Sequence, residues 1–397
     1  MEANTQKQYF SYLDALRCLA FLAVFYAHTG TIFLGATITD SFPLNIWKKF
    51  TIYGSYGVNF FFVLSGFLIT YLLLKEKSAS GKISIKNFYL KRVLRIWPVY
   101  FLTLFFSIFL LPFFIPASTY TVLGMTNPVM SFQTFFAFFF FVGNFYQGMG
   151  FGMGALSIGI LWSVCVEEQF YLVWPWIVKW FNTRKLLIIT VLLISLSLLY
   201  KYIWADDRIA NYYLPWSVGM DLAFGALLGI GYFLNKNKQV ITWALTIFGI
   251  CILMVIGTSL SGYPQIKPAL IESLRLFKTP MVDCIFALII LFFIQRTNKL
   301  NSNNKHPVIT FLHLSKQKIK NALIYLGKIS YGLYAYHTIC LMIVVSVLYR
   351  TGLITINVGR VAFFTTAILS ILLTILVAHL SSKLMEGPIL RLKNRLK

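Results

Sequence analysis

Charge is scarce in this chain, and acidic charge most of all. Of 397 residues only 12 are Asp or Glu, against 35 Lys or Arg, and charged residues make up 12% of the total. A soluble domain carries about 25%. That shortage excludes a large water-soluble core. Cysteine is sparse too: Cys18, Cys165, Cys251, Cys284 and Cys340 all fall in apolar runs. With no CxxC pair and no Cys/His cluster, neither a disulfide framework nor a metal site is expected. No cleavable signal peptide is legible, because Arg17 interrupts what would be its apolar stretch. A Gly-, Ser- or Pro-rich linker is missing, as is any long hydrophilic segment, so one domain over 1–397 is expected.

Apolar surface is what the chain has in excess. Hydrophobic residues reach 58%, with 38 Phe and 22 Tyr, and the mean hydropathy is +0.74. Since a membrane-crossing helix needs about 20 apolar residues, the runs at 11–33, 53–74, 96–115, 130–147, 158–180, 185–204, 212–234, 240–259, 277–295, 321–349 and 358–384 are candidate spans. Basic loops at 75–95, 179–185, 235–238 and 296–320, and the basic tail 391–397, should face the cytoplasm. With both ends inside, the number of crossings is even, so one run does not cross. The short Phe-rich stretch 131–146 is the expected exception, re-entrant or interfacial. The expected fold is therefore an all-α polytopic membrane protein of about ten transmembrane helices with both termini cytoplasmic. The formal charge of +23 reads as this loop pattern and as attraction to membrane lipids, not as a nucleic-acid surface.

Ionisable residues inside such runs are costly and mark a functional path by default. Arg17 and His28 sit eleven residues apart in the first run. At about 100° per residue their side chains return to within about 20° of one direction, roughly 16 Å apart along the axis. Asp14 lies within about 60° of the same face. In the second run Asn59 is a polar group near the outer end, and Ser65-Gly66 are small residues that permit close helix approach. Ser65 lacks the G-x-S-x-G surroundings of a nucleophilic serine. Arg92 and Arg95 are one turn apart at the start of the third run, with Lys91 beside them. They serve either as membrane anchors or as a cytoplasmic phosphate clamp.

Glu167 and Glu168 are adjacent within a run that must cross. Neighbours on a helix point about 100° apart, so at most one faces a given cavity. Ser163, Glu167 and Tyr171 share an i, i+4, i+8 face, while Glu168 and Tyr171 form an i, i+3 pair; spacing does not choose between the glutamates. Asp221 and Asp283 are single acids that could counter a buried cation such as Arg17. Tyr331, Tyr334 and His337 recur at three-residue spacing, either as a packing stripe or with His337 at the site. His379 and Glu386 read as structural.

Taken in order, these blocks resemble the acyltransferase family 3 membrane proteins, the bacterial cell-surface carbohydrate O-acyltransferases. LDALR with His28 is similar to the family's opening motif, and GVNFFFVLSGFLIT, KRVLRIWPVY and LWSVCVEEQFYLVWP resemble its next three blocks. KISYGLYAYH and LMEGPILRLK resemble the closing ones more loosely. The resemblance runs from about Tyr9 to Arg391. Ala15, Asn59 and Cys165 depart from the usual residues at their positions. Many members carry an SGNH-type extracytoplasmic domain; this chain is expected to be a stand-alone form.

The resemblance implies an enzyme of the bacterial inner membrane. It would move an acyl group, usually acetyl, from cytoplasmic acyl-CoA to a hydroxyl of a surface glycan or lipid-linked sugar. On that reading Arg92, Arg95 and Lys91 meet the CoA phosphates, and Arg17 orients the donor or stabilises the thioester oxyanion. His28 is general base or acyl acceptor, and Glu167 or Glu168 orients the imidazole or holds the sugar. Asp14, Asn59, Ser163, Tyr171 and His337 line the substrate path. The rival reading is a secondary transporter of a lipid-linked sugar or organic anion, whose internal repeats are not apparent. A receptor or scaffold without chemistry leaves the glutamate pair unexplained.

Overall fold

A computed structural model describes residues 10–34, 51, 53–115, 132–152, 156–234, 268–302, 311–353 and 360–395. Among these residues the regular structure is helical throughout. In chain order the helices of six or more residues are α1 (Ser11–Leu34), α2 (Tyr56–Ser80), α3 (Ile85–Phe105), α4 (Phe132–Phe139), α5 (Gly143–Gly148), α6 (Trp162–Trp180), α7 (Thr183–Ile203), α8 (Arg208–Tyr213), α9 (Pro215–Leu234), α10 (Pro268–Ser302), α11 (Phe311–Lys328), α12 (Ser330–Arg350), α13 (Arg360–Ser381) and α14 (Gly387–Arg395). The chain is a multi-pass membrane protein: seven of the described helical stretches are long and apolar enough to cross a bilayer.

Those seven do not reproduce the expected count of ten, and the differences have local causes. Helices α1 and α6 are not among the seven; in α6, Glu167, Glu168 and Gln169 depress the hydropathy. The run 240–259 lies outside the described residues. The apolar run 321–349 is not one span: it divides at Ile329 into the end of α11 and the whole of α12. The amphipathic α11 lies along α1, so closely that a β-carbon on Gly327 would sit 1.7 Å from the Asp14 carbonyl oxygen.

The Phe-rich stretch also breaks. Helix α4 has eight residues, about 12 Å of rise, far short of the roughly 30 Å hydrocarbon core. Phe141 then takes a positive φ of 57°, which ends the first helix and starts α5 in a new direction. Its ring stacks on Tyr100, centroids 4.4 Å apart, and the Tyr100 hydroxyl donates to the Phe138 carbonyl at 2.6 Å.

Helix pairing in the bundle rests on small residues, as expected where the surroundings are as apolar as the side chains. The most extensive pair is α2 with α9. A β-carbon on Gly66 would lie 2.0 Å from the Leu222 carbonyl oxygen, and one on Gly225 2.0 Å from that of Val63. The end of α2 is fixed from both sides. Gly81, at φ 69°, closes it by donating its N–H to the Lys77 carbonyl. The Lys77 ammonium in turn donates to the carbonyls of Val178, Lys179 and Phe181 at 2.7, 3.0 and 2.8 Å, capping α6. This packing brings α1, α2, α3, α6 and α12 around one polar interior.

Candidate active site

The site is built from two adjoining zones, one imidazole and one charged. In the first, His28 of α1 meets His337 of α12, with Nδ1 of His28 2.8 Å from Nε2 of His337. His28 is half-buried, whereas His337 is fully buried. Phe21 packs edge-on against the His337 ring with centroids 5.9 Å apart, and the Tyr334 ring lies 5.6 Å away. Nδ1 of His337 donates to the Tyr334 carbonyl at 2.5 Å. The Tyr334 hydroxyl is 2.8 Å from Ser163 Oγ on α6, and both hydroxyls donate to the Ile160 carbonyl.

The second zone centres on Glu167. Its two oxygens accept from Ser65 Oγ of α2 at 2.8 Å and from the Tyr171 hydroxyl at 2.9 Å. Arg92 and Arg17 lie within electrostatic range of this carboxylate, and the Arg92 guanidinium stacks 5.2 Å over the Tyr171 ring. Arg17 is held by Asp14 at 2.6 Å, one turn before it on α1. Arg95 senses Arg17, Arg92, Tyr171 and Asp14, so guanidinium groups from α1 and α3 converge. Arg95 is nonetheless solvent-exposed, which places it where an anion can reach it.

The glutamate question left open by spacing is answered by the neighbours. Glu167 faces α2 and the arginines. Glu168 turns to α3, where it accepts from Trp97 Nε1 at 3.1 Å, and its buried Oε1 has no hydrogen-bond partner among the described residues. Neither glutamate orients His28; the group bonded to the imidazole is His337. Because His337 is buried with both ring nitrogens engaged, it does not line the substrate path as expected.

Other expected residues scatter. Lys91 is exposed and stands outside the cluster. Asn59 donates to Asp221 at 2.6 Å, and Asp221 and Asp283 lie within electrostatic range of each other, with Lys201 the cation in range of both. Ser163 serves Tyr334. Asp14 and Tyr171 are in the charged zone, but as partners of Arg17 and Glu167.

Several residues at the site carry no sequence signal strong enough to single them out. Ser65 is a donor to Glu167, consistent with its failing as a nucleophile by motif. Tyr331 donates to the Ile96 carbonyl and lies within electrostatic range of Glu168, Glu167 and Glu386. Glu386, read as structural, stands on a π-helical turn, Ser382–Glu386, within range of Arg95. Such turns often mark functional sites. Tyr334 is in turn within range of Glu167, which makes the two zones contiguous. The arrangement offers an anion-attracting arginine group, a hydrogen-bonded carboxylate and an imidazole with an open nitrogen. Those are the parts that acyl or other group transfer to a hydroxyl requires.

The profile of a family described as an acyltransferase domain matches residues 10–379. The peptidoglycan O-acetyltransferase OatA of Listeria monocytogenes is 28% identical over 96% of this chain and 56% of its own length. A putative O-acetyltransferase of Staphylococcus aureus is 26% identical over 96% of this chain and 57% of its own. A putative peptidoglycan O-acetyltransferase, YrhL of Bacillus subtilis, is 30% identical over 31% of this chain and 19% of its own. The chain thus spans little more than half the length of the full-coverage relatives. No solved structure matches it.

Proposed function

This chain belongs to the acyltransferase domain family across residues 10–379, and on that premise we propose that it is an O-acyltransferase of the bacterial inner membrane. It takes an acetyl group from cytoplasmic acetyl-CoA and transfers it to a hydroxyl of a cell-surface polysaccharide. The names of the relatives favour a peptidoglycan acceptor. The observation that carries the reading is the convergence of Arg17, Arg92, Arg95 and Glu167 from α1, α3 and α6, with the His28–His337 pair further along α1. A packing role does not account for so much charge in an apolar bundle.

In this reading Arg92 and Arg95 receive the CoA phosphates through bidentate guanidinium contacts. Arg17, fixed by Asp14 and roughly 16 Å from His28 along α1, orients the donor, and the pantetheine arm spans the distance to the imidazole. His28 Nε2 takes the proton from the acceptor hydroxyl as its oxygen bonds to the acyl carbon. The carbon–sulfur bond then breaks and the departing CoA thiolate takes the proton from His28. Glu167, already an acceptor for two hydroxyls, holds a sugar hydroxyl in line.

The experiment is acetyl transfer by the purified protein in proteoliposomes, with radiolabelled acetyl-CoA on one side and a defined peptidoglycan fragment on the other. Label is expected in the glycan, and His28→Ala should abolish it. Full turnover in that variant would remove His28 from the chemistry. Passage of unmodified glycan without label would replace the enzyme by a transporter.

A further inference from the structure

The histidine pair has a direction, and the backbone sets it. Nδ1 of His337 faces the Tyr334 carbonyl oxygen, which can only accept, so that nitrogen carries a proton. In the neutral ring the lone pair is then on Nε2. Nε2 faces His28 Nδ1 at 2.8 Å, so His28 donates from Nδ1 and its own lone pair is on Nε2. No described residue makes a hydrogen bond to that Nε2, and His28 is half-buried rather than sealed. His337 itself is 0% exposed, walled by Phe21, Phe25 and Tyr334, and cannot touch a substrate.

We propose that His337 is a positioning residue: it holds His28 in the Nδ1–H tautomer, leaving Nε2 as the open nitrogen of the site. The assignment rests on the acyl-transfer reading for its catalytic consequence, but the tautomer is a property of the protein without substrate. The logic is that of a buried acceptor behind a catalytic imidazole, with a neutral ring in the place usually held by a carboxylate. In a serine-hydrolase triad the wrong tautomer costs about 10⁴ in kcat, which shows how much such a contact can govern. A neutral acceptor stabilises the imidazolium less than a carboxylate does. An effect of about 100-fold is therefore expected, the low end of what general acid–base catalysis contributes.

The test uses the full chain in nanodiscs, labelled with ¹⁵N-histidine, with the His28 resonances identified by their loss in His28→Ala. His28 is expected as the Nδ1–H tautomer in the wild type. His337→Gln should keep it, because a side-chain carbonyl can reach the same position and accept. His337→Phe should shift it toward Nε2–H, lower kcat for acetyl transfer about 100-fold, and leave KM for acetyl-CoA within about threefold; His337→Gln should recover at least tenfold of that kcat. An Nε2–H tautomer on His28 in the wild type overturns the proposal, as does equal impairment of the two folded variants. Should His337→Phe fail to fold, a folded His337→Gln with His28 as Nε2–H overturns it equally. Loss of the function reading would appear separately, as no acetyl transfer by a wild-type protein whose His28 shows the expected tautomer.

Discussion

His28 and His337 lie 309 residues apart in the chain and 2.8 Å apart in the bundle. Helix α1 carries one imidazole and α12 the one bonded to it. The same division, with one helix carrying a group and another its partner, recurs across the site and underlies the expectations below.

Glu167 and Glu168 should separate cleanly on substitution. Glu167→Gln removes the charge that faces Arg92 and Arg17 and turns one of two acceptors into a donor beside Ser65 or Tyr171. Charge-assisted hydrogen bonds contribute about 1.5–3 kcal/mol, so kcat/KM for acetyl transfer should fall roughly 10- to 100-fold. Glu168→Gln keeps an acceptor for Trp97 and should stay within about threefold of wild type. Steady-state kinetics on both variants decide it, and a larger effect at Glu168 would reverse the assignment.

Arg92 and Arg95 should act on the donor and not on the acceptor. Arg92 is stacked over Tyr171 and Phe88, so Arg92→Lys loses both the fork and the stack while keeping its charge. KM for acetyl-CoA should rise about tenfold in Arg92→Lys and Arg95→Lys, with KM for the glycan unchanged. Dephospho-CoA thioesters should narrow the gap between wild type and variants. An unchanged KM for acetyl-CoA would argue for plain membrane anchoring.

The α2–α9 contact should not tolerate a methyl group. At Gly66 and Gly225 the added carbon would meet backbone carbonyl oxygen at 2.0 Å, which the rigid helices cannot yield. Gly66→Ala or Gly225→Ala should cost about 1–3 kcal/mol by overpacking and lower the thermal midpoint in detergent by several degrees. Gly81→Ala meets no atoms but is strained at φ 69° and should cost less. A scan of midpoints across the three variants checks the order.

Lys77 should matter for stability alone. Its ammonium holds three carbonyls at the end of α6, and Lys77→Met leaves those carbonyls without their donor. A loss of about 1–3 kcal/mol is expected, seen as a lower thermal midpoint with KM for both substrates unchanged. A change in KM at constant midpoint would instead give Lys77 a part in donor binding.

Much of this was legible from residue types and spacing. Helical periodicity put Asp14, Arg17 and His28 on one face, and α1 keeps that face as an unbroken helix. It also showed that Glu167 and Glu168 diverge by about 100°, but not which one turns inward. That depended on Ser65 and Trp97, which come from helices 102 and 71 residues away. The apolar run 321–349 misled because an amphipathic helix end and a buried helix join without a polar gap. Asp221 and Asp283 looked like counter-ions for Arg17 because nothing in their separate segments reveals that α9 and α10 put them face to face.

The sequence by itself determined the class of molecule and the set of costly groups. The free energy of placing charge or exposed backbone in hydrocarbon is a local property of each segment. The tertiary structure decided the partners: which histidine meets which, which glutamate meets the arginines, and which acids lie side by side. Hydrogen bonds and ion pairs act over a few ångströms, so they exist only once helix packing, set here by Gly66 and Gly225, has fixed the distances between helices.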